Sequence, residues 1–125
     1  MAVNYSSTLK SSRMAAVISA IDSHANPATI EICTAAFAAV LVTVTLAKPS
    51  FTESGGVITG SGMPKSGVAT GTGTAALARI KTGGGVVVVN NLSVGVTGSD
   101  INLNSVAISS GQTISLTSAT ITHAA

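Results

Sequence analysis

The chain has 125 residues, with six basic and four acidic side chains and a net charge of +2. Charged residues make up 8 % of it, against roughly 25 % in an average soluble domain. This length has room for one domain with one modest core. Its few, scattered Lys and Arg side chains exclude the clustered basic surface that nucleic-acid binding requires.

Hydrophobic residues make up 46 % of the chain, and its aromatics are one tyrosine and two phenylalanines. A surface so poor in charge is weakly protected against association, so we expect the chain to work in an assembly. The longest apolar stretch, residues 35–47, includes Thr43 and Thr45 and is shorter than the roughly 20 residues that span a bilayer. We therefore predict no membrane segment, and no export signal, because Asp22 and His24 interrupt the apolar run near the N-terminus.

Residues that could carry chemistry are few and fall in no known motif. Cys33 is the single cysteine and is predicted to be a small buried hydrophobe. His24 and His123 are too few and too far apart to suggest a metal site. The four acids stand in no acid–base motif: Asp22, Glu31, Glu53 and Asp100. We predict no catalytic, cofactor or metal site, no small-molecule substrate and no enzymatic activity.

The first predicted element is an amphipathic helix over residues 7–22. The segment Ser6-Ser7-Thr8 offers N-caps, and a Pro-containing segment, residues 24–27, ends the helix. Its apolar side chains recur at helical spacing, with Leu9 extending the same face: Met14, Val17, Ile18 and Ile21. We divide the chain into an N-terminal helical segment, residues 1–28, and a β-rich domain, residues 29–125. The pattern leaves open whether the helix packs on its own domain or on a neighbouring subunit.

Extended segments follow the helix. Residues 29–34 and 40–46 alternate between the two faces of a strand, as half-buried strands do. Residues 57–59 form a short apolar run between glycine pairs, which predicts another strand. Residues 63–67, which include Pro64, predict a loop.

Residues 71–89, GTGTAALARIKTGGGVVVV, admit two interpretations. Gly71-x-Gly73-x-x-Ala76 has the spacing of a dinucleotide-binding fingerprint, which would need a helix at residues 74–81. That helix is too short for a parallel crossover of roughly a dozen residues, and the acid expected about 20 positions later is missing. A hairpin explains more, with strands at 76–81 and 86–89 joined by a glycine turn.

The last third of the chain predicts strands at 101–104, 106–108 and 113–122, with a turn at 109–112. In the last strand Ile114 and Leu116 fall on one face but Ala119 and Ile121 on the other. This phase change near Ser118 indicates a bulge or an end of pairing.

Asp100-x-Asn102-x-Asn104 superficially resembles a calcium loop. Ser105 stands where the turn glycine belongs, and Gly111 replaces the bidentate glutamate. We interpret these side chains as polar residues on the solvent face of a strand. The regular turn spacing predicts an antiparallel β-sandwich or jelly-roll-like barrel with one N-terminal α-helix.

The stretch GTGTAALARIKTGGGVVVVNNLSVGVTGSDINLNS, followed by ISSGQTISLTSATITHA, resembles small virion proteins encoded among the head genes of tailed bacteriophages. In these proteins a helical segment similar to TLKSSRMAAVISAID precedes TIEICTA and a Val/Thr-rich strand. The resemblance implies a capsid decoration (cement) or other head-associated protein, assembled in the host cytoplasm and resident in the virion. Its implied partners are its own copies, as a dimer or trimer, and the phage major capsid protein.

The expected contact elements, by position, are the N-terminal segment and glycine-rich loops at residues 53–67 and 82–85. Two alternatives remain open. A tail, head–tail or fibre-associated receptor-binding module would expose more aromatic side chains for stacking on sugars. A small enzyme would need a partly buried polar cluster.

Overall fold

The computed structural model describes residues 5–122, which are mainly β with one N-terminal α-helix, as predicted. Helix α1 is Ser7–Ile21, and a single 3-10 turn occupies Ala35–Phe37. The strands are β1 Thr29–Cys33, β2 Val40–Thr45, β3 Phe51–Ser54, β4 Val57–Gly60, β5 Lys65–Val68, β6 Gly73–Thr74, β7 Leu77–Lys81, β8 Val87–Gly95, β9 Ile101–Leu103, β10 Ala107–Ile108 and β11 Thr113–Thr122.

Helix α1 begins where the capping residues predict, because the Ser6 Oγ accepts a hydrogen bond from the Leu9 N–H at 3.1 Å. Met14 and Ile21 are buried in the main core. The predicted apolar face is wrong at Leu9, which is 43 % exposed. The helix packs on β3 and β4 of its own chain and also contacts β8.

The main sheet has the strand order β2-β1-β7-β8-β9-β11-β4-β3, and β5 also pairs with β11. All pairs are antiparallel except β8 with β9, which run parallel. The sheet curls into a half-barrel, consistent with the predicted sandwich or barrel-like class. Just after β5, the Thr70 N–H donates to the Leu41 carbonyl of β2 at 2.8 Å, so this segment is bonded to the end strand of the sheet.

The predicted loop at 63–67 is wrong in its second half, because Lys65–Val68 is strand β5. Its residues have little intrinsic strand preference, but pairing with the first half of β11 supplies the order. The same finding corrects the expected glycine-rich loop at 53–67. That range holds β4 and parts of β3 and β5, with turns only between them.

The predicted hairpin is confirmed, since β7 and β8 pair antiparallel around the turn at 82–85. The Thr82 N–H donates to the Val86 carbonyl at 2.8 Å, and Gly85 has a positive φ of 90° that suits glycine. Residues 77–81 are strand, so the helix that a dinucleotide fingerprint requires does not form.

The phase change in the last strand corresponds to a β-bulge. Between Leu116 and Ser118 the register of β11 against β9 shifts by one residue. The extra residue returns the second half of the strand to the core, so Ile114, Leu116 and Ala119 are all fully buried. The strand then continues past the bulge and pairs with β4.

Candidate functional site

Among the described residues, no hydrogen bond joins two carboxylates, and three of the four acidic side chains bond to the backbone instead. Three of them each accept a bond from a backbone amide: Ser50 N–H to Asp22 Oδ2 (3.0 Å), Gly56 N–H to Glu53 Oε2 (3.0 Å) and Ser93 N–H to Asp100 Oδ2 (3.1 Å). Within residues 5–122 no three His, Cys, Asp or Glu side chains gather into a group that could hold a metal. His123 lies outside the described residues.

In the calcium-like segment, residues 100–104, the asparagine side chains form hydrogen bonds within the protein. Asn102 Oδ1 accepts from the Ser99 N–H at 3.1 Å, and Asn104 Oδ1 accepts from the Ser115 N–H at 2.9 Å. The expectation of solvent-facing polar residues fits Asn104, which is exposed, but not Asn102, which is half-buried. The Asn102 oxygen closes a local turn, while the Asn102 Nδ2, which donates to the Ser118 Oγ at 2.9 Å, and the Asn104 oxygen tie this segment to β11.

The fourth carboxylate, Glu31 on β1, joins two cations of the neighbouring strand β7. Its Oε1 lies 2.7 Å from the Arg79 Nε and its Oε2 lies 3.2 Å from the Lys81 Nζ. The Arg79 guanidinium also stands 5.3 Å from the centroid of the Phe37 ring. Burial alone would raise the pKa of Glu31, but the hydrogen bonds and charges of the two cations hold that pKa below its usual value.

Cys33, next to this cluster, is fully buried, as predicted. Burial raises the pKa of the thiol above its ordinary value. A thiol with a raised pKa stays protonated at neutral pH, and the protonated form is a poor nucleophile. The residue therefore packs as a small hydrophobe.

The lowered pKa of Glu31 predicts an acid-sensitive contribution to stability. A carboxylate whose folded pKa is depressed stabilises the protein above its unfolded pKa of about 4.3, and the effect disappears as the pH falls through the folded value. We expect Glu31→Gln to lower the free energy of unfolding by about 1 kcal/mol at pH 7. Urea unfolding of both proteins at a series of pH values measures this difference. The two curves should converge at low pH, and an offset independent of pH would contradict the prediction.

Helix α1 brings the expected contact elements together along its length. Near its start, a Cβ added to Gly56 would lie 2.8 Å from the Lys10 Cβ, so the turn between β3 and β4 packs closely on the helix. Beyond its end, a Cβ added to Gly83 would overlap the Asn26 carbonyl. The first glycine of the 82–85 turn, Gly83, is therefore required by this close approach.

A groove lies between the end of α1 and the start of β8, which we call the helix–hairpin groove. It has a volume of about 590 Å³ and is lined by Ala20, Ser23, His24, Thr82, Gly84, Val86 and Val88. Val86 is 64 % exposed and Val87 is 43 % exposed. Its lining includes no Asp, Glu, Lys or Arg side chain, so it suits an apolar or backbone group.

The sequence indicated the 82–85 turn as a contact element. It did not indicate that residues 23–26, just after helix α1, lie against that turn and help to line the groove. The run of three glycines was the available signal. A turn alone does not explain all three, because Gly85 is the one of them with a positive φ. The remaining two indicate a close approach by another part of the chain, which the sequence does not identify.

No helix within residues 5–122 is long and apolar enough to cross a membrane. Comparison of the chain with protein-family models, curated proteins and solved structures finds no match.

Proposed function

We propose that the chain is a structural virion protein of a tailed bacteriophage, and specifically a capsid decoration (cement) protein that binds the mature head as a homo-oligomer. The observation that carries the proposal is the exposure of Val86 and Val87 at the helix–hairpin groove, whose lining residues include no Asp, Glu, Lys or Arg. A patch of this kind favours contact with another protein surface over solvent.

The use of the polar residues supports the same proposal. Each carboxylate accepts a bond from the backbone or from cations of its own chain, and Asn102 and Asn104 bond to Ser118 and Ser115 of β11. A decoration protein needs a stable scaffold with adhesive surfaces and no reacting groups. It would act by mass action, since binding only the mature lattice stabilises that lattice relative to other states.

Mass spectrometry of purified virions, with copy number, tests the proposal. We expect hundreds of copies in each particle, as a decoration protein covering the capsid lattice requires. A dozen copies or fewer would overturn the decoration role in favour of a portal, tail or fibre part. Absence of the chain from the particle would overturn the virion proposal as a whole.

A further inference from the structure

Three buried side-chain oxygens lie near the end of helix α1 without a hydrogen-bond partner. They are Asp22 Oδ1, Ser50 Oγ and Ser61 Oγ, and no protein group within residues 5–122 bonds to any of them. Ser50 is fully buried, and in the half-buried Asp22 and Ser61 these oxygen atoms are themselves buried. Nearly all buried polar atoms in native proteins have a partner, so three neighbouring oxygens of this kind indicate a ligand that joins them.

The backbone places the three side chains beside one another. Phe51 of β3 is opposite Gly60 of β4, so Ser50 and Ser61 form the next opposite pair, and the Ser61 N–H donates to the Ser50 carbonyl at 2.9 Å. In a regular antiparallel ladder the Ser50 N–H would return that bond to Ser61. It donates instead to Asp22 Oδ2 at 3.0 Å. The carboxylate at the end of the helix therefore stands at the end of the β3–β4 ribbon, next to both serines.

The chemistry of the three oxygens favours a water molecule. Asp22 Oδ1 belongs to a carboxylate and can only accept, whereas each serine hydroxyl can donate one hydrogen. Water can donate to the carboxylate and accept from both hydroxyls. A metal ion bonded to the same oxygens would leave both serine hydrogens without an acceptor, since no described protein group accepts from them. Buried waters typically make about three hydrogen bonds, which matches the number of oxygens here.

The charges around the site also disfavour a metal ion. The Lys48 Nζ donates to the carbonyl of His24, two residues after Asp22. A positive charge therefore already lies near the helix C-terminus, where the helix dipole and the Asp22 carboxylate are negative. A metal cation at the three oxygens would be repelled by this ammonium group, whereas an uncharged ligand would not.

We propose that Asp22, Ser50 and Ser61 form a buried site for one water molecule, which joins the end of helix α1 to the β3–β4 ribbon. The water donates to Asp22 Oδ1 and accepts from the hydroxyls of Ser50 and Ser61. Because the site is buried, exchange of this water with solvent requires local separation of the helix end from the ribbon, so the water is long-lived. The inference does not rest on the proposed function.

Oxygen-17 magnetic relaxation dispersion, which counts long-lived water molecules in a folded protein, tests the proposal in solution. The variant is Ser50→Ala combined with Ser61→Ala, and the matched control is Ser54→Ala, an exposed serine on β3. We expect the double variant to lose one long-lived water relative to the wild type and the control to lose none. Far-ultraviolet circular dichroism checks that the variants are folded. Equal counts in the wild type and the folded double variant would overturn the proposal.

A high-resolution crystal structure of the wild type gives a readout that needs no substitution. We expect one solvent peak at about 2.7–3.0 Å from each of the three oxygens, which is the hydrogen-bond range. A peak at about 2.0–2.6 Å, the range of oxygen ligands to Mg²⁺ and Ca²⁺, would overturn the proposal in favour of a metal ion. Density that shows no peak, or a direct hydrogen bond between two of the three side chains in its place, would overturn it as well.

Discussion

Replacing Phe51 by alanine is expected to destabilise the protein by about 3–5 kcal/mol, the range for deleting a buried phenylalanine ring. Phe51 is 2 % exposed and is the largest fully buried side chain of the described residues. It begins β3, opposite Gly60 of β4, and belongs to the same buried cluster as Met14 and Ile21 of the helix. The cavity would therefore open where the helix packs on the β3–β4 ribbon.

The backbone around Phe51 leaves little room for collapse into that cavity. The preceding residue, Ser50, is fully buried; its N–H donates to Asp22 at the end of α1, and its carbonyl accepts from the Ser61 N–H at 2.9 Å. A site that is held on both sides relaxes poorly after truncation, which places the expected cost in the upper part of the range. A loss of this size is a large fraction of the 5–15 kcal/mol that typically stabilises a domain.

Phe37→Ala is the matched control, because the chain has just two phenylalanines. Phe37 is half-buried and stands beside the Arg79 guanidinium, so its loss should cost about 1 kcal/mol. Urea unfolding of the two variants and the wild type measures both values. Equal destabilisation by the two substitutions would contradict the packing described for Phe51.

The sequence predicted the elements that local patterns determine. Helical spacing and a serine cap located α1 to within a residue, and the Gly-rich turn between alternating segments located the β7–β8 hairpin. The phase change near Ser118 located a bulge, because a strand buried on one face must change register to keep both halves in the core. In each case the signal lies within one short stretch of chain.

The remaining features depend on contacts between distant parts of the chain. The Glu31–Arg79 ion pair forms only because β1 and β7 are neighbours, 48 residues apart in sequence. The helix–hairpin groove likewise depends on the approach of residues 23–26 to the 82–85 turn. Strand order decides both features, and single-sequence periodicity contains no information about strand order.

Strand β5 is another feature that depends on contacts between distant parts of the chain. It lies between β11, with which it pairs, and β2, which it contacts. A Cβ added to Gly67 would lie 2.9 Å from the Thr43 carbonyl, 3.1 Å from the Val42 Cγ2 and 3.4 Å from the Val44 Cγ2. Gly67 therefore lies directly against β2, while its own strand pairs with β11. Gly67 is one of the residues that predict a loop at 63–67, and it is also the residue that lets the two strands approach.

Gly67→Val is accordingly expected to destabilise the protein by about 2–3 kcal/mol, since overpacking against a backbone atom forces strands apart. Ser66→Val is the control, because Ser66 is exposed on the same strand and should change stability by less than about 0.5 kcal/mol. Hydrogen exchange should also show loss of protection at the Thr70 amide, which bonds to the Leu41 carbonyl beside the contact. If Gly67→Val proved as stable as Ser66→Val with Thr70 still protected, β5 would not close the sheet against β2. A loss of Thr70 protection confined to Gly67→Val would locate the strain at that closure, since the rest of β5 is held by its hydrogen bonds to β11.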